Sequence, residues 1–322
     1  MGSSHVLAAP GTRTEVASGW RADVVTTAAT IRGHSQIVVL GMLGFALRGG
    51  ILFLALPIVV LPTSVEVRLL LGSGLGTSGL TPDFYLGAGL LSMLTLGLAL
   101  LVLYVLAKCE IGQYARFVNW PHAAGEHAWP PPGQLDDEDR SLLASRTFVV
   151  ETATLIVILL AAVPSAVAVA QSTYAEIVLP SSAASLYTRI ISDATVPLFV
   201  FVISIVVIEA VHAVVLRQVL ASAYGLKAHN RLARHPMRVV GVGLIGWVLF
   251  VGAVGVSFLV LDATWQVVES VFLSNSLAGD LSDLASAAVV AFLFAVLFGA
   301  CLGLCGLVST VRSGLWTLAS LR

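Results

Sequence analysis

Charge is scarce in this chain. Asp, Glu, Lys and Arg make up 11% of its 322 residues, against about 25% in an ordinary soluble domain. With 57% of residues apolar and a mean hydropathy of +0.95, too little polar surface is left to face water. That excludes a free-standing soluble protein and makes lipid the solvent. Cysteine is scarce too: Cys109, Cys301 and Cys305 are too few for a disulfide framework. Cys301 and Cys305 sit one helical turn apart and read as small packing residues. Catalytic motifs are missing as well. There is no His-Glu-x-x-His and no Gly-x-Ser-x-Gly, and the Gly-rich run 72–79 lacks the lysine of a phosphate loop. No catalytic residue, metal site or cofactor follows from motifs. Residues 1–36 have no early apolar core of the signal-peptide kind.

What the chain has is length of apolar run. A spanning helix needs about 20 apolar residues, and such stretches fall near 37–61, 85–107, 147–170, 196–216, 239–261 and 285–310. Their Leu, Ala, Val and Gly content suits packed helices, so an all-α polytopic membrane protein of about six spans in three hairpins is expected. The domain plan is then an N-terminal segment 1–36, a six-helix domain 37–310 with a linker at 109–146, and a tail at 311–322. The connections inside each hairpin are half apolar, as in Val65–Leu71 and Leu186–Ile191. They read as short interfacial helices. In the linker, Trp129-Pro130-Pro131-Pro132 interrupts helix, and Asp136-Asp137-Glu138-Asp139 suits the start of the next one.

The basic residues set the orientation. Arg13, Arg21, Arg32, Lys108, Arg116, Arg140, Arg146, Arg217, Lys227, Arg231, Arg234, Arg238, Arg312 and Arg322 fall on one side of the span map, and only Arg68 and Arg189 on the other. By the positive-inside rule both termini are cytoplasmic, in a multi-pass protein of the bacterial inner membrane. Within the most basic loop, Lys227, Arg231, Arg234 and Arg238 suit contact with anionic lipid headgroups, and Pro236 suits the first turn of the fifth span. The loop is too short for nucleic-acid binding.

Ionisable groups inside spans cost several kcal/mol, which singles out Arg48, Glu151, Glu209 and His212. Arg48 lies roughly 16 Å into the first span and Glu209 roughly 12 Å into the fourth. An ion pair between them is expected, with His212 one turn along from Glu209 and Glu151 nearby. Such a cluster serves either to join helices or as a relay or substrate site. Glu209-x-x-His212 has the spacing of carboxylate-bridged metal sites, but those need a second motif that the chain lacks. Arg48-Gly49-Gly50 followed by Pro57 loosens the first span, as in the broken helices of transporters. Gly299-x-x-x-Gly303 is a small-residue face suited to close helix contact, within the chain or between copies.

The layout resembles the six-span membrane domains found in bacteria beside glycerophosphodiester phosphodiesterases. Arg48-Gly49-Gly50 and the Arg234-His235-Pro236-Met237-Arg238 approach to a Gly-rich fifth span carry the resemblance. The phosphodiesterase domain has no counterpart here, so the resemblance implies a fold type and no catalytic residues. Three functions are left. The first is a non-catalytic scaffold or subunit of a larger membrane complex, with the lipid bilayer and membrane proteins or further copies of itself as partners. The second is a transporter or permease built on Arg48, Glu209 and His212. The third is a membrane-embedded lipid enzyme, for which no nucleophile, base and ligand set converges.

Overall fold

The computed structural model describes residues 20–58, 82–123, 135–178, 186–226, 236–275 and 281–321. Helix α1 is Trp20–Gly33. Helix α2, Gln36–Phe45, passes through a π-turn at Ala46–Gly50 into α3, Ile51–Ala55, and a closing 3-10 turn at Leu56–Ile58. Five long helices follow: α4 (Pro82–Ala123), α5 (Asp137–Val178), α6 (Leu186–Ala223), α7 (Pro236–Asn275) and α8 (Leu281–Leu321). Among the described residues, six segments are long and apolar enough to cross a membrane, from Gln36–Ile58 to Ala285–Leu321. The chain is an all-α, multi-pass membrane protein.

Local chemistry sets the helix ends. Pro236 opens α7, where its missing N–H costs nothing. Asp137, Glu138 and Asp139 occupy the first turn of α5, beside the positive end of its dipole. Past the end of α6, Gly225 takes φ 69° and the Leu226 N–H donates to the Ala221 carbonyl at 2.9 Å. That is the Schellman arrangement, which glycine accommodates without strain.

The five long helices contain 38 to 42 residues, or about 57–63 Å. The hydrocarbon core of a bilayer is only about 30 Å thick. Part of the excess length lies at the end of the bundle that holds Trp20 and Leu321, here called the terminal end. There Tyr114, Val118, Leu143, Leu216, Leu220 and Leu318 form a buried core. Helix α1 packs on α8 and α4 through one face of Asp23, Thr26, Thr27 and Thr30, all buried. A second core, of Phe45, Leu54, Ala253, Leu261, Phe294 and Cys305, joins the first span to α7 and α8. In the hairpin of α5 and α6, the Ser165 hydroxyl donates to the Pro197 carbonyl at 2.9 Å.

The far half is open. From Gly89 to Leu98 every residue of α4 is exposed, on all sides of the helix. Only 6% of the apolar window of α5, and of α6, is buried within the chain.

Several boundaries differ from the sequence reading. Much of the expected linker 109–146 is helix, because α4 runs on to Ala123 and α5 begins at Asp137. The expected tail from residue 311 is the last part of α8, with Leu315, Trp316, Leu318 and Ala319 buried. Leu186–Ile191, read as an interfacial helix, is the start of α6, and α7 continues to Asn275. The common reason is that apolar periodicity continues beyond each membrane-length stretch, and the helix runs on through Gly112 and Pro121 in α4 and Gly314 in α8. Val65–Leu71 lies outside the described residues.

Candidate functional site

Arg48 is carried on the break in the first span. Gly49 has φ 87° and ψ 5° inside the π-turn, a left-handed conformation that L side chains resist. π-bulges of this kind recur at functional sites. A Cβ on Gly49 would meet nothing within 4 Å, so Gly49→Ala tests backbone strain alone. It should cost about 1–2 kcal/mol, read as a lower midpoint of thermal unfolding in detergent. An unchanged midpoint would mean that the break is not required.

Past the break, Arg48 Nη2 lies 3.1 Å from Glu110 Oε1 and 3.1 Å from Glu151 Oε1. Glu110 Oε2 accepts from Arg217 Nη1 at 3.2 Å, and Arg217 Nη2 donates to Ser313 Oγ at 2.8 Å. His212 Nε2 stands 3.3 Å from Glu151 Oε1. One chain of polar contacts therefore runs His212–Glu151–Arg48–Glu110–Arg217–Ser313, and it joins the first span, α4, α5, α6 and α8. Beside it Arg312 pairs with Glu209. The Arg312 guanidinium lies 5.3 Å from the Trp247 ring centre and 5.7 Å from that of Phe250, a cation–π geometry. Glycine on α7 makes room for this: a Cβ on Gly246 would come within 3.0 Å of Arg312 Cγ.

The expected Arg48–Glu209 pair is corrected by this geometry. Arg48 is held by Glu110 and Glu151, and Glu209 by Arg312. Glu110 on α4 and Glu151 on α5 lie about as far from the terminal end of their helices as Glu209 does on α6, so depth alone does not single out the partner of Arg48. Arg48, Glu151, Glu209 and His212 do gather in one cluster. Glu209 and His212 turn to different partners, Arg312 and Glu151.

Glu110, Arg217 and Arg312 follow the apolar stretches; the sequence reading takes Arg217 and Arg312 as topology charges and does not single out Glu110. The usable signal was the helical pattern continuing beyond them, as in Leu220 and Leu318, both buried.

A half-open cavity of about 40 Å³ lies at the cluster, lined among others by Arg48, Glu209, His212, Arg217, Ser309 and Arg312. The Arg217 side chain is 4% exposed and that of His212 8%, while Arg48, at 37%, stands at the mouth.

The remaining sites named from sequence are placed differently. A Cβ on Gly299 or Gly303 would meet nothing within 4 Å, so this face of α8 packs on no described part of the chain. Close helix contact occurs instead at Gly41 and Gly306, where the Thr310 hydroxyl donates to the Gly306 carbonyl at 2.9 Å and lies 3.3 Å from that of Ile37. Lys227, Arg231 and Arg234 lie outside the described residues, and only the backbone of Arg238 is described. No family model matches the chain, and no curated protein or solved structure matches it either.

Proposed function

We propose that this chain is a non-catalytic integral membrane protein of the bacterial inner membrane, with both termini cytoplasmic, acting as a scaffold or as a subunit of a larger membrane complex. One observation carries the reading. On α4, α7 and α8, a Cβ added at Gly87, Gly89, Gly97, Gly241, Gly252, Gly255, Gly299 or Gly303 meets no atom within 4 Å. Small residues let helix backbones approach closely in a membrane, and here no described helix of the same chain takes up that opportunity. A second protein, or a second copy, is the occupant that suits such faces. The all-round exposure of α4 from Gly89 to Leu98 supports the same reading.

Native mass spectrometry from lipid nanodiscs tests it. A stoichiometric companion is expected, and Gly299→Leu with Gly303→Leu should release it while leaving the unfolding free energy within about 0.5 kcal/mol of the starting protein, as at a surface position. A lone protomer, unchanged by the substitutions, would refute the reading.

A transporter or permease is the second reading. It is favoured by the broken first span beside a half-open, charge-lined cavity, the arrangement in which discontinuous helices hold substrates. In this reading Arg48, Glu209 and His212 serve flux, and a His212→Gln protein that folds but carries nothing would support it.

A further inference from the structure

We propose that α1 is an interfacial helix, whose exposed face seats on the phospholipid interface of the bilayer at the terminal end. The inference rests on α1 itself and stands for either functional reading.

The first support is the polarity of α1, which is turned inside out. Asp23, Thr26, Thr27 and Thr30 are buried, on the face that packs against α8 and α4. The opposite stripe is Val24, Val25, Ala28 and Ala29, all exposed, with Val25 at 68%. A helix on the surface of a water-soluble protein has the reverse pattern, apolar residues inward and polar residues outward. An outward face of valine and alanine suits an apolar surrounding. Asp23, the one acid in the α1 sequence, is on the buried face. Arg32, at the end of the exposed stripe, carries the sign that lipid phosphate attracts.

The second support is direction. Arg116 Nη2 donates to Gln36 Oε1 at 3.3 Å, and a Cβ on Gly314 would come 2.7 Å from both Phe117 Cε1 and Thr27 Cγ2. Arg116 and Phe117 are neighbours on α4, so Gln36 and Thr27 stand at about one level of that helix. On α8 the result is similar. The Thr310 hydroxyl lies 3.3 Å from the Ile37 carbonyl, and Gly314, which faces Thr27, is one turn further on, about 6 Å. The chain from Thr27 to Ile37 would cover about 15 Å as a straight helix along α8. Helix α1 therefore runs across the bundle more than along it. Both α4 and α8 continue past this level, to Ala123 and Leu321. Helix α1 thus lies on the flank of the bundle, and its outer face looks sideways.

The third support is level. His34 and Ser35 alone separate α1 from α2, in a tight turn where the Ile37 N–H donates to the His34 carbonyl at 3.0 Å. The first span, Gln36–Ile58, has 23 residues, about 34 Å of helix, against a hydrocarbon core of about 30 Å. With so little length to spare, Gln36 stands at the edge of the core. Helix α1 crosses the bundle at the level of Gln36 and so falls in the headgroup zone, which adds about 5–7 Å on each side. Interfacial helices bury an apolar face at this boundary of headgroups and acyl chains.

Spin labels on single introduced cysteines test the placement, in nanodiscs of phosphatidylcholine and phosphatidylglycerol. The full chain carries Val25→Cys, Ala29→Cys or, as a reference in water, Asp137→Cys, whose side chain is fully exposed. These are exposed positions, where substitutions cost little stability. The native thiols are buried, and labelling of the unaltered protein gives the background to subtract. Collisions with oxygen, which concentrates in lipid, are compared with collisions with a water-soluble nickel chelate. Labels at positions 25 and 29 should show a several-fold higher ratio of oxygen to nickel collisions than the label at 137. A ratio equal to that at 137 would place the face in water and overturn the proposal. An immobilised label shielded from both would also overturn it, and would identify the cover as protein. The companion sought by native mass spectrometry is unaffected by these outcomes, so the two ideas fail separately.

Discussion

Arg217→Met is expected to cost about 3–5 kcal/mol of stability, the penalty of an uncompensated buried charge, because Glu110 and Glu151 would be left to share Arg48 alone. Glu110 would lose the guanidinium at its Oε2 while its side chain stays only 8% exposed. Adding Glu110→Leu should return part of that loss, because Arg48 keeps Glu151 and the uncompensated charge is gone. The same logic applied to Glu209 discriminates between pairings. Arg312→Met combined with Glu209→Leu should be milder than the sum of the single changes. Arg48→Met combined with Glu209→Leu should lie closer to additive, since those two side chains do not pair. Coupling energies of 0.5–3 kcal/mol are usual for residues in contact, and unfolding midpoints of the four-variant cycles in one detergent would measure them. A larger coupling for Arg48 with Glu209 than for Arg312 with Glu209 would reverse the assignment.

The second large effect concerns glycine on α8. A Cβ on Gly306 would fall 2.7 Å from Met42 Cα and 2.8 Å from Met42 N, so α2 itself must move. A Cβ on Gly41 would come within 2.5 Å of the Gly306 carbonyl oxygen. Gly306→Ala should therefore cost about 1–3 kcal/mol or more, the range for overpacking against parts that cannot swing aside. Gly303→Ala, one turn away and facing nothing within 4 Å, should leave stability unchanged. Equal effects at the two positions would show that α2 and α8 do not meet through Gly41 and Gly306.

The sequence revealed the spans well, because lipid imposes a length and a composition that no other environment demands. It was less informative at the terminal end. There Leu216, Leu220, Leu318 and Trp316 are buried as in a soluble helical bundle, and Arg217 and Arg312 belong to the interior. Reading charges only as topology signals treats every arginine after an apolar run as exposed. Gly225 marks where α6 stops, eight residues after Arg217, and nothing breaks α8 between Arg312 and Leu321. Leu220 after Arg217, and Leu315 and Leu318 after Arg312, were the legible sign that the helices continue. Arg48 shows the opposite error. Depth along the span brings Arg48 to the level of Glu209, but Glu110 and Glu151 lie at a similar level on α4 and α5, and spacing does not say which helix faces it. Which of the glycine pairs on α8 makes contact could not be read from spacing, since Gly299, Gly303 and Gly306 differ only in what the neighbouring helix presents to them.

The central claim is that a charge-balanced layer at the terminal end joins the first span to α4, α5, α6 and α8. An electron cryomicroscopy map of the nanodisc-embedded protein, with side chains resolved around Arg48, tests it most directly. The account requires the Arg48 guanidinium to sit between Glu110 and Glu151, with Arg217 on the other oxygen of Glu110 and Arg312 on Glu209. Density placing Arg48 against Glu209, or against lipid with Glu110 and Glu151 apart from it, would contradict that claim.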